Sequence, residues 1–365
     1  MQKSKWFGVG LLLALTLWSC DSEEDNSYTL PDTYNFENVS YDGQTQRLQM
    51  LQEMKDYLNS ANTPGTVLDA SRLKAMYANE AETAGWTLTY ESSKQLKSKT
   101  FEQEQAVFEQ LLEAIAGNST STVPAAEGQA GVAVSNDGDK QYLINEKGVE
   151  LTQLIEKGLM GACFYYQALT VYFGDSRMNV DNQTVVPGEG TEMEHHWDEA
   201  FGYYGVPRDF PINTDGVAFW GKYSNSRDAI LNCNQTMMDN FIKGRAGISN
   251  DDLTARDEAI AEIRRTWEVI TGATAISYLN TALESFDDMA IRAHALSEAI
   301  AFTYTIQFNP EKRMNNAEVA AVLEDIAGSS SFMEMDLYNT TPERLEAAKT
   351  KLAEALGLME SKDNF

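Results

Sequence analysis

Apolar residues that recur at steps of three and four positions run through most of this sequence, and they restrict the chain to a helical fold. Leu48, Leu51, Met54 and Leu58 lie on one face of a helix at these steps, and residues 101–116 repeat the pattern. Alternating apolar and polar residues, which are typical of strands, are nearly absent. We therefore predict an all-α fold of packed antiparallel helical bundles, in two bundle-like halves.

Start and stop signals divide this pattern into separate helices. Pro342 follows Thr341 at the first position of a helix, where proline is favoured, and Gly117-Asn118 supplies a C-terminal stop. Besides the helices around residues 48–58 and 101–116, the pattern predicts helices at 68–81, 146–174, 192–204, 220–244, 251–283, 286–308, 316–327 and 342–359. Residues 118–140 are rich in Ser, Thr, Ala, Gly and Pro, which predicts a long loop with a short strand at 131–135. We expect one helical domain at 39–365 with a subdivision near 118–145.

The first nineteen residues have the features of a lipoprotein signal peptide. Lys3 and Lys5 precede an apolar run at 7–17 that is too short for a mature membrane span. The run ends in Leu-Trp-Ser-Cys, which resembles a bacterial lipobox, with Cys20 as the lipidated new N-terminus. The alternative is an ordinary signal peptide or an uncleaved anchor that happens to end near a cysteine.

The acidic segment after Cys20 indicates the final location. Residues 21–25 read Asp-Ser-Glu-Glu-Asp, which resembles the surface-export signal of Bacteroidetes-type lipoproteins, and residues 20–38 form an acidic tether. We therefore expect an outer-membrane lipoprotein that is held to the membrane at Cys20. It would be exposed on the cell surface or, otherwise, face the periplasm.

The net charge argues against one class of partner, and the cysteine count argues against one class of metal site. The chain carries 28 Lys and Arg against 55 Asp and Glu, a net charge of −27, which repels phosphate backbones and argues against nucleic acid. Only Cys163 and Cys233 follow Cys20, and no Cys-x-x-Cys motif is present, so a thiolate zinc site is not expected. The sequence leaves open whether the two cysteines form a disulfide or stay as buried thiols.

The few histidines are the strongest candidates for chemistry. His196 and Glu199 are three positions apart and His294 and Glu298 are four apart, so each pair shares a helix face. Imidazole and carboxylate groups from two helices form the kind of inward-facing set that bundles use for iron or another divalent metal. The candidate metal or pocket residues are His195, His196, Asp198, Glu199, His294 and Glu298. The alternative for each pair is a surface ion pair or a hydrogen-bonded core histidine.

Four common enzyme motifs are absent from the sequence. A zinc peptidase of the usual type needs His-Glu-x-x-His, and His196 has no second histidine four residues later. No Gly-x-Ser-x-Gly elbow, Walker loop or dinucleotide-binding glycine motif occurs. If the protein is an enzyme, the residues favour a metal-dependent hydrolase, peptidase-like, with Glu199 as base and a metal on His196.

Several segments together resemble a family of uncharacterised Bacteroidetes lipoproteins, over about residues 28–360. They are VSYDGQTQRL at 39–48, NEKGVE at 145–150, KGLMGA at 157–162, HWDEAFGY at 196–203 and FWGKY at 219–223. That family is similar to the imelysin group of helical extracytoplasmic proteins, which are linked to iron uptake and were once described as peptidases. The imelysin motif is Gly-x-His-x-x-Glu; His196 and Glu199 match it, and Glu194 stands at the glycine position.

Three hypotheses about function follow from the residues and the resemblance. The first is a non-enzymatic, lipid-anchored binding protein for iron or a related nutrient, with His196 and Glu199 as ligands or pocket residues. The second is the metal-dependent hydrolase. The third is a structural partner of an outer-membrane receptor that binds no small ligand.

Overall fold

The computed structural model describes residues 28–365, so the predicted signal peptide, Cys20 and the acidic run at 21–25 lie outside the described residues. Within 28–365 the fold is all-α, as predicted, with one small hairpin. The α-helices are α1 (Asp42–Ser60), α2 (Ala70–Ala78), α3 (Ala81–Ala84), α4 (Gln105–Asn118), α5 (Leu151–Leu159), α6 (Asp175–Met178), α7 (Glu192–Tyr204), α8 (Trp220–Leu231), α9 (Cys233–Ser249), α10 (Leu253–Glu284), α11 (Met289–Thr305), α12 (Asn316–Ala327) and α13 (Pro342–Leu356). The strands β1 (Gly131–Val134) and β2 (Gln141–Ile144) pair antiparallel.

Two of the predicted helices differ from those observed. The helix expected at 220–244 is interrupted by Asn232, which has a left-handed φ of 50° and separates α8 from α9. Asparagine tolerates this conformation better than most residues. The helix expected at 146–174 begins at Leu151 and, beyond α5, continues as two π-helical segments, Met160–Tyr165 and Gln167–Tyr172.

The first π-helical segment is held in place by bonds from other parts of the chain. The indole Nε1 of Trp220 donates to the Met160 carbonyl at 3.0 Å, and the Phe101 amide donates to the Ala162 carbonyl at 2.8 Å. The two carbonyls in this wider, π-helical turn therefore both accept hydrogen bonds, as buried backbone groups require. This arrangement directs Tyr172, near the end of the second segment, toward α7.

The long helix α10 lies at the centre of the packing, in contact with α9, α11 and α13. One continuous cluster of buried apolar residues extends from Tyr34 to Leu358, so the helices before and after the hairpin share a core. The hairpin packs on α11, where Ala133 and Ile144 meet Ala290 and Ala293.

Part of the segment predicted as a tether packs against the helices. Tyr34 is fully buried and its ring stacks on Phe201 of α7, with 3.9 Å between ring centroids. Its backbone amide donates to the Arg208 carbonyl at 2.9 Å. Residues 28–365 include no helix that is both long enough and apolar enough to cross a membrane.

Candidate functional site

Helix α7, which carries two of the three histidines, has both ends fixed by its own sequence. Thr191 Oγ1 accepts from the Glu194 amide at 3.2 Å, and the Glu194 carboxylate accepts from the Thr191 amide at 2.9 Å, which forms a capping box. Gly205, with a left-handed φ of 77°, ends the helix. The helical spacing then places residues 192, 195, 196 and 199 on one face.

His196 and Glu199 form the pair predicted from their spacing. The His196 Nδ1 lies 3.2 Å from Glu199 Oε2. The other carboxylate oxygen accepts from Gln44 Nε2 of α1 at 2.9 Å and from the Tyr172 hydroxyl at 3.0 Å. Lys99 donates to the Tyr172 hydroxyl at 3.2 Å, and burial lowers the pKa of Lys99. The carboxylate is therefore held by donors from three separate parts of the chain.

These donors keep Glu199 ionised. Burial alone would raise the pKa of Glu199, but the hydrogen bonds from His196 and Gln44 outweigh it and lower the pKa to about 2. Because an ionised carboxylate only accepts hydrogen bonds, the proton of this bond resides on His196 Nδ1. The Nε2 atom lies on the far side of the ring from Glu199.

Two oppositely charged side chains face this Nε2 atom. Arg177 of α6 places its NH1 atom 3.3 Å from His196 Nε2, and Glu192 Oε1 lies 3.7 Å from it. Both Arg177 and Glu192 are exposed, whereas His196 is only 7 % exposed. The imidazole thus lies at the boundary between the core and the solvent, beside one exposed cation and one exposed carboxylate.

A surface cavity of about 310 Å³ lies at the start of α7. Glu192 and His195 line it from the helix, and residues 181–191 provide the other wall. His195 Nε2 lies 4.0 Å from Glu199 Oε2, and the buried Nδ1 of His195 has no hydrogen-bond partner. We refer to Arg177, Glu192, His195, His196 and Glu199 as the histidine cluster.

Asp198, also predicted as a site residue, lies on the opposite side of α7 and is fully buried. Its Oδ1 accepts from the Tyr34 hydroxyl at 2.5 Å and from Arg245 Nε of α9 at 3.1 Å. Burial raises the pKa of Asp198 to about 6 despite the neighbouring guanidinium. Asp198 therefore links the N-terminal segment to α7 and α9 and is separate from the histidine cluster.

His294 and Glu298 belong to a second polar cluster, between α5 and α11. His294 Nδ1 lies 2.6 Å from Glu150 Oε2, and its Nε2 lies 3.9 Å from Glu298 Oε1. The Tyr142 ring of β2 stacks on the imidazole at 4.3 Å. Burial alone would lower the pKa of His294, but the Glu150 carboxylate outweighs it and raises the pKa.

The same cluster contains charged residues that the sequence analysis missed. Lys157 Nζ lies 2.8 Å from Glu156 Oε1 and 3.5 Å from Glu298 Oε1, and Lys55 Nζ of α1 is 2.9 Å from Glu156 Oε1. Lys157, Glu156 and Glu298 are each at most 4 % exposed. The signal that could have revealed them is the adjacent Glu156-Lys157 pair inside an apolar helix.

The two histidine pairs therefore lie in separate clusters with different partners. Within residues 28–365 no group of three or more His, Cys, Asp or Glu side chains is arranged to hold a metal ion. The predicted inward-facing set of two histidines and two glutamates is not assembled. Each pair instead uses one imidazole nitrogen to bind a carboxylate.

The two cysteines of the described residues are unpaired, buried thiols. Burial raises the pKa of Cys163 to about 12 and that of Cys233 to about 11. Cys163 lies near the Leu96 carbonyl, and Cys233 lies against Ser224. Thiols with such pKa values hold almost no thiolate at neutral pH.

Residues 31–359 match the model of a protein family described as a domain of unknown function (DUF4856), and the chain belongs to this family. Neither the curated proteins nor the solved structures include a match to this chain.

Proposed function

We propose that this protein is a lipid-anchored, non-enzymatic binding protein of the outer membrane, and that the histidine cluster is its ligand site. The cargo that we propose for this cluster is a divalent metal ion, iron in the first place. Cys20 would carry the anchor, and the acidic run that follows it favours the cell surface over the periplasmic face.

The observation that carries this proposal is the orientation of the His196 ring. Histidines that bind metals commonly donate their second ring N–H to a carboxylate, which fixes the tautomer and makes the free nitrogen a better ligand. Glu199 fills this role at 3.2 Å, and Gln44 and Tyr172 hold Glu199 in place. The support lies in the core, and Nε2 faces the exposed Arg177 and Glu192 side chains at the boundary with the solvent.

The other groups around Nε2 fit a cargo that binds and leaves. Glu192 Oε1, 3.7 Å from Nε2, offers a carboxylate as second ligand. The Arg177 guanidinium, 3.3 Å from Nε2, occupies the position of a cation and must move out when a metal ion enters. Two protein ligands leave the other coordination positions to water or to groups that arrive with the ion. The net charge of −27 favours the approach of cations.

The properties of Glu199 favour binding over hydrolysis. A general base works best with a pKa near the working pH, and a pKa of about 2 makes Glu199 a weak base at neutral pH. Its oxygens also already accept bonds from Gln44, Tyr172 and His196. The resemblance to the imelysin group, in which His196 and Glu199 occupy the motif positions, supports the same cluster as the site.

Calorimetric titration of residues 21–365, purified without a histidine tag, tests this proposal. Fe²⁺ under anaerobic conditions and Zn²⁺ in air are the probes, and we expect one ion per chain. His196→Ala removes the ligand and should abolish binding. Glu199→Gln removes the charge that orients the ring and should weaken binding about 10- to 100-fold.

His294→Ala is the matched control, since His294 also binds a glutamate but lies in the other cluster. We expect it to bind the ions as the unaltered protein does. Loss of binding in His294→Ala with retention in His196→Ala would refute the assignment of the site. Absence of binding in the unaltered protein would refute the metal cargo and favour the third hypothesis, a structural partner of an outer-membrane receptor.

A further inference from the structure

Two positively charged side chains meet at the histidine cluster: Arg177, which belongs to it, and the neighbouring Lys99. Lys99 is half-buried and donates to the Tyr172 hydroxyl at 3.2 Å. The exposed Arg177 places its NH1 atom 3.3 Å from His196 Nε2. The rings of Tyr172 and His196 are themselves neighbours, with 5.9 Å between their centroids. Lys99 and Arg177 therefore contact the same pair of adjoining rings.

The positive charges of this region act on one another. Burial lowers the pKa of Lys99, and the charges of Arg47 and Arg177 lower it further, whereas Glu199 raises it. Arg47 is buried and donates to two backbone carbonyls. Among the described residues, neither Lys99 nor Arg177 forms a direct ion pair with a carboxylate, because Glu192 and Glu199 pair with the histidines.

Lys99 and Arg177 also have unused N–H donors. An ammonium group carries three N–H donors and a guanidinium carries five. Among the described residues, these two side chains donate to the Tyr172 hydroxyl and approach His196 Nε2, and make no other hydrogen bond. A partly desolvated cation is stabilised by a nearby anion, and the guanidinium of arginine matches the two oxygens of a carboxylate.

The histidine cluster offers a metal ion few ligands of its own. The two candidates are His196 Nε2 and Glu192 Oε1, which lie 3.7 Å apart. Within residues 28–365 no group of three or more His, Cys, Asp or Glu side chains is arranged to hold a metal ion. An ion bound here must therefore bring further ligands with it. Because the Arg177 guanidinium repels a bare metal cation, those ligands should be negatively charged.

We propose that the cargo of the histidine cluster is the complex of iron with a small polycarboxylate chelator, and that Lys99 and Arg177 bind the carboxylates of this chelator. The inference rests on the proposed function, because His196 Nε2 would still bind the iron. The chelator supplies the ligands that the protein lacks, and its charge compensates the two cations. The Arg177 guanidinium turns from His196 Nε2 to a chelator carboxylate when the complex binds.

The neighbouring charges place the chelator beside Lys99 and Arg177. The cavity at the start of α7 is lined by Asp181, Glu189 and Glu192, so carboxylates of a ligand would be repelled there. Lys99 and Arg177 would in turn repel a positively charged iron complex. The charge of the chelator is therefore the property that this region selects.

Calorimetric titration of residues 21–365 with ferric iron in excess citrate, a chelator with three carboxylates, tests this inference. Zn²⁺ alone and citrate alone are titrated beside it at neutral pH. We expect ferric citrate to bind, and citrate alone to bind at least about tenfold more weakly. Lys99→Gln and Arg177→Gln should each weaken the binding of ferric citrate about tenfold, as expected for one lost charge-assisted hydrogen bond.

The same two variants should bind Zn²⁺ alone more tightly than the unaltered protein does. Each of them removes a positive charge near the position of the ion. Loss of the fold would weaken the binding of both probes, so opposite changes for ferric citrate and Zn²⁺ identify an effect of charge.

Lys97→Gln and Arg265→Gln are the matched controls. Lys97 is two positions from Lys99 but pairs with Glu109, and Arg265 is an exposed arginine of α10 that pairs with Glu262. Both variants should bind ferric citrate as the unaltered protein does.

Three results would overturn the inference. They are absence of ferric citrate binding, equally tight binding of the cationic iron complex of desferrioxamine B, and binding of ferric citrate by Lys99→Gln and Arg177→Gln that equals that of the controls. If Zn²⁺ alone still binds through His196 in such a case, the proposed function stands without the chelator. Absence of both Zn²⁺ and ferric citrate binding in the unaltered protein would overturn the inference and the proposed function together.

Discussion

Replacement of Lys157 by methionine tests whether the buried charges between α5 and α11 are held by their mutual attraction. Lys157 Nζ lies 2.8 Å from Glu156 Oε1 and 3.5 Å from Glu298 Oε1, and the residue is 4 % exposed. Burial alone would lower the pKa of Lys157, but the two carboxylates outweigh it and raise the pKa. Methionine keeps most of the length of the side chain and removes the charge together with the ammonium N–H donors.

The expected loss of folding free energy follows from the Glu298 carboxylate, which stays buried after its lysine partner is removed. Glu156 keeps Lys55 at 2.9 Å, whereas among the described residues the ion-pair partner left to Glu298 is His294 Nε2, at 3.9 Å. Removal of one partner from a buried ion pair typically costs about 3–5 kcal/mol, because the other charge stays buried and uncompensated. This is a large part of the roughly 5–15 kcal/mol that holds a typical domain folded.

Urea denaturation at neutral pH, followed by circular dichroism, measures this cost. The double variant Lys157→Met with Glu298→Gln removes the stranded charge and should regain at least half of the lost stability. If Lys157→Met lowers the free energy of unfolding by less than about 1 kcal/mol, the buried carboxylates are not stabilised by this lysine. Equal stability of the single and double variants would also refute the reasoning.

Three further predictions concern other buried groups. The pKa of His294 is raised in the folded protein by its carboxylate partner, against the effect of burial. The charged His294 therefore stabilises the fold fully below the pKa of about 6.5 that the histidine has in the unfolded chain. This stabilisation is lost as the pH rises through the pKa of His294 in the folded protein. The difference in urea midpoint between the unaltered protein and His294→Gln should thus shrink with rising pH. Tyr34→Phe deletes the 2.5 Å bond to Asp198, and we expect a loss of about 1–3 kcal/mol in urea denaturation and faster proteolysis within residues 28–41. Gly244→Ala would place a Cβ 2.0 Å from the Trp197 ring, and overpacking of this kind costs about 1–3 kcal/mol, visible as a lower melting temperature; an unchanged melting temperature would contradict this.

The sequence predicts the helices best where their ends depend on local residues. The predicted 192–204 and 316–327 match α7 and α12, and a capping box begins each of these two helices. Pro342 begins α13 as predicted. Caps and turns involve residues only a few positions apart, so a single sequence shows them.

Features that depend on distant residues could not be predicted. The first π-helical segment after α5 is bonded by Trp220 and Phe101, and the periodicity within 146–174 does not reveal these contacts. Strand β2 follows β1 closely, but its short sequence carries only a weak strand signal. The break at Asn232 depends on one residue in a left-handed conformation, which apolar spacing does not reveal.

In the candidate site, too, contacts within one helix could be predicted and contacts between distant parts of the chain could not. The His196–Glu199 pair could be predicted, because both residues lie on one helix at a fixed spacing. Its supports could not, since Gln44 is 155 positions from Glu199. Likewise, the sequence offers Glu298 as the partner of His294, whereas the shorter contact is to Glu150, 144 positions away.

Anomalous diffraction from crystals of residues 21–365 grown with Fe²⁺ or Zn²⁺ tests the central claim most directly, because it locates the bound ion. The account predicts one anomalous peak about 2.0–2.2 Å from His196 Nε2, with Glu192 turned toward it and the Arg177 side chain displaced. A peak at His294 or elsewhere, or an ion-free His196 still in contact with Arg177, would contradict the account.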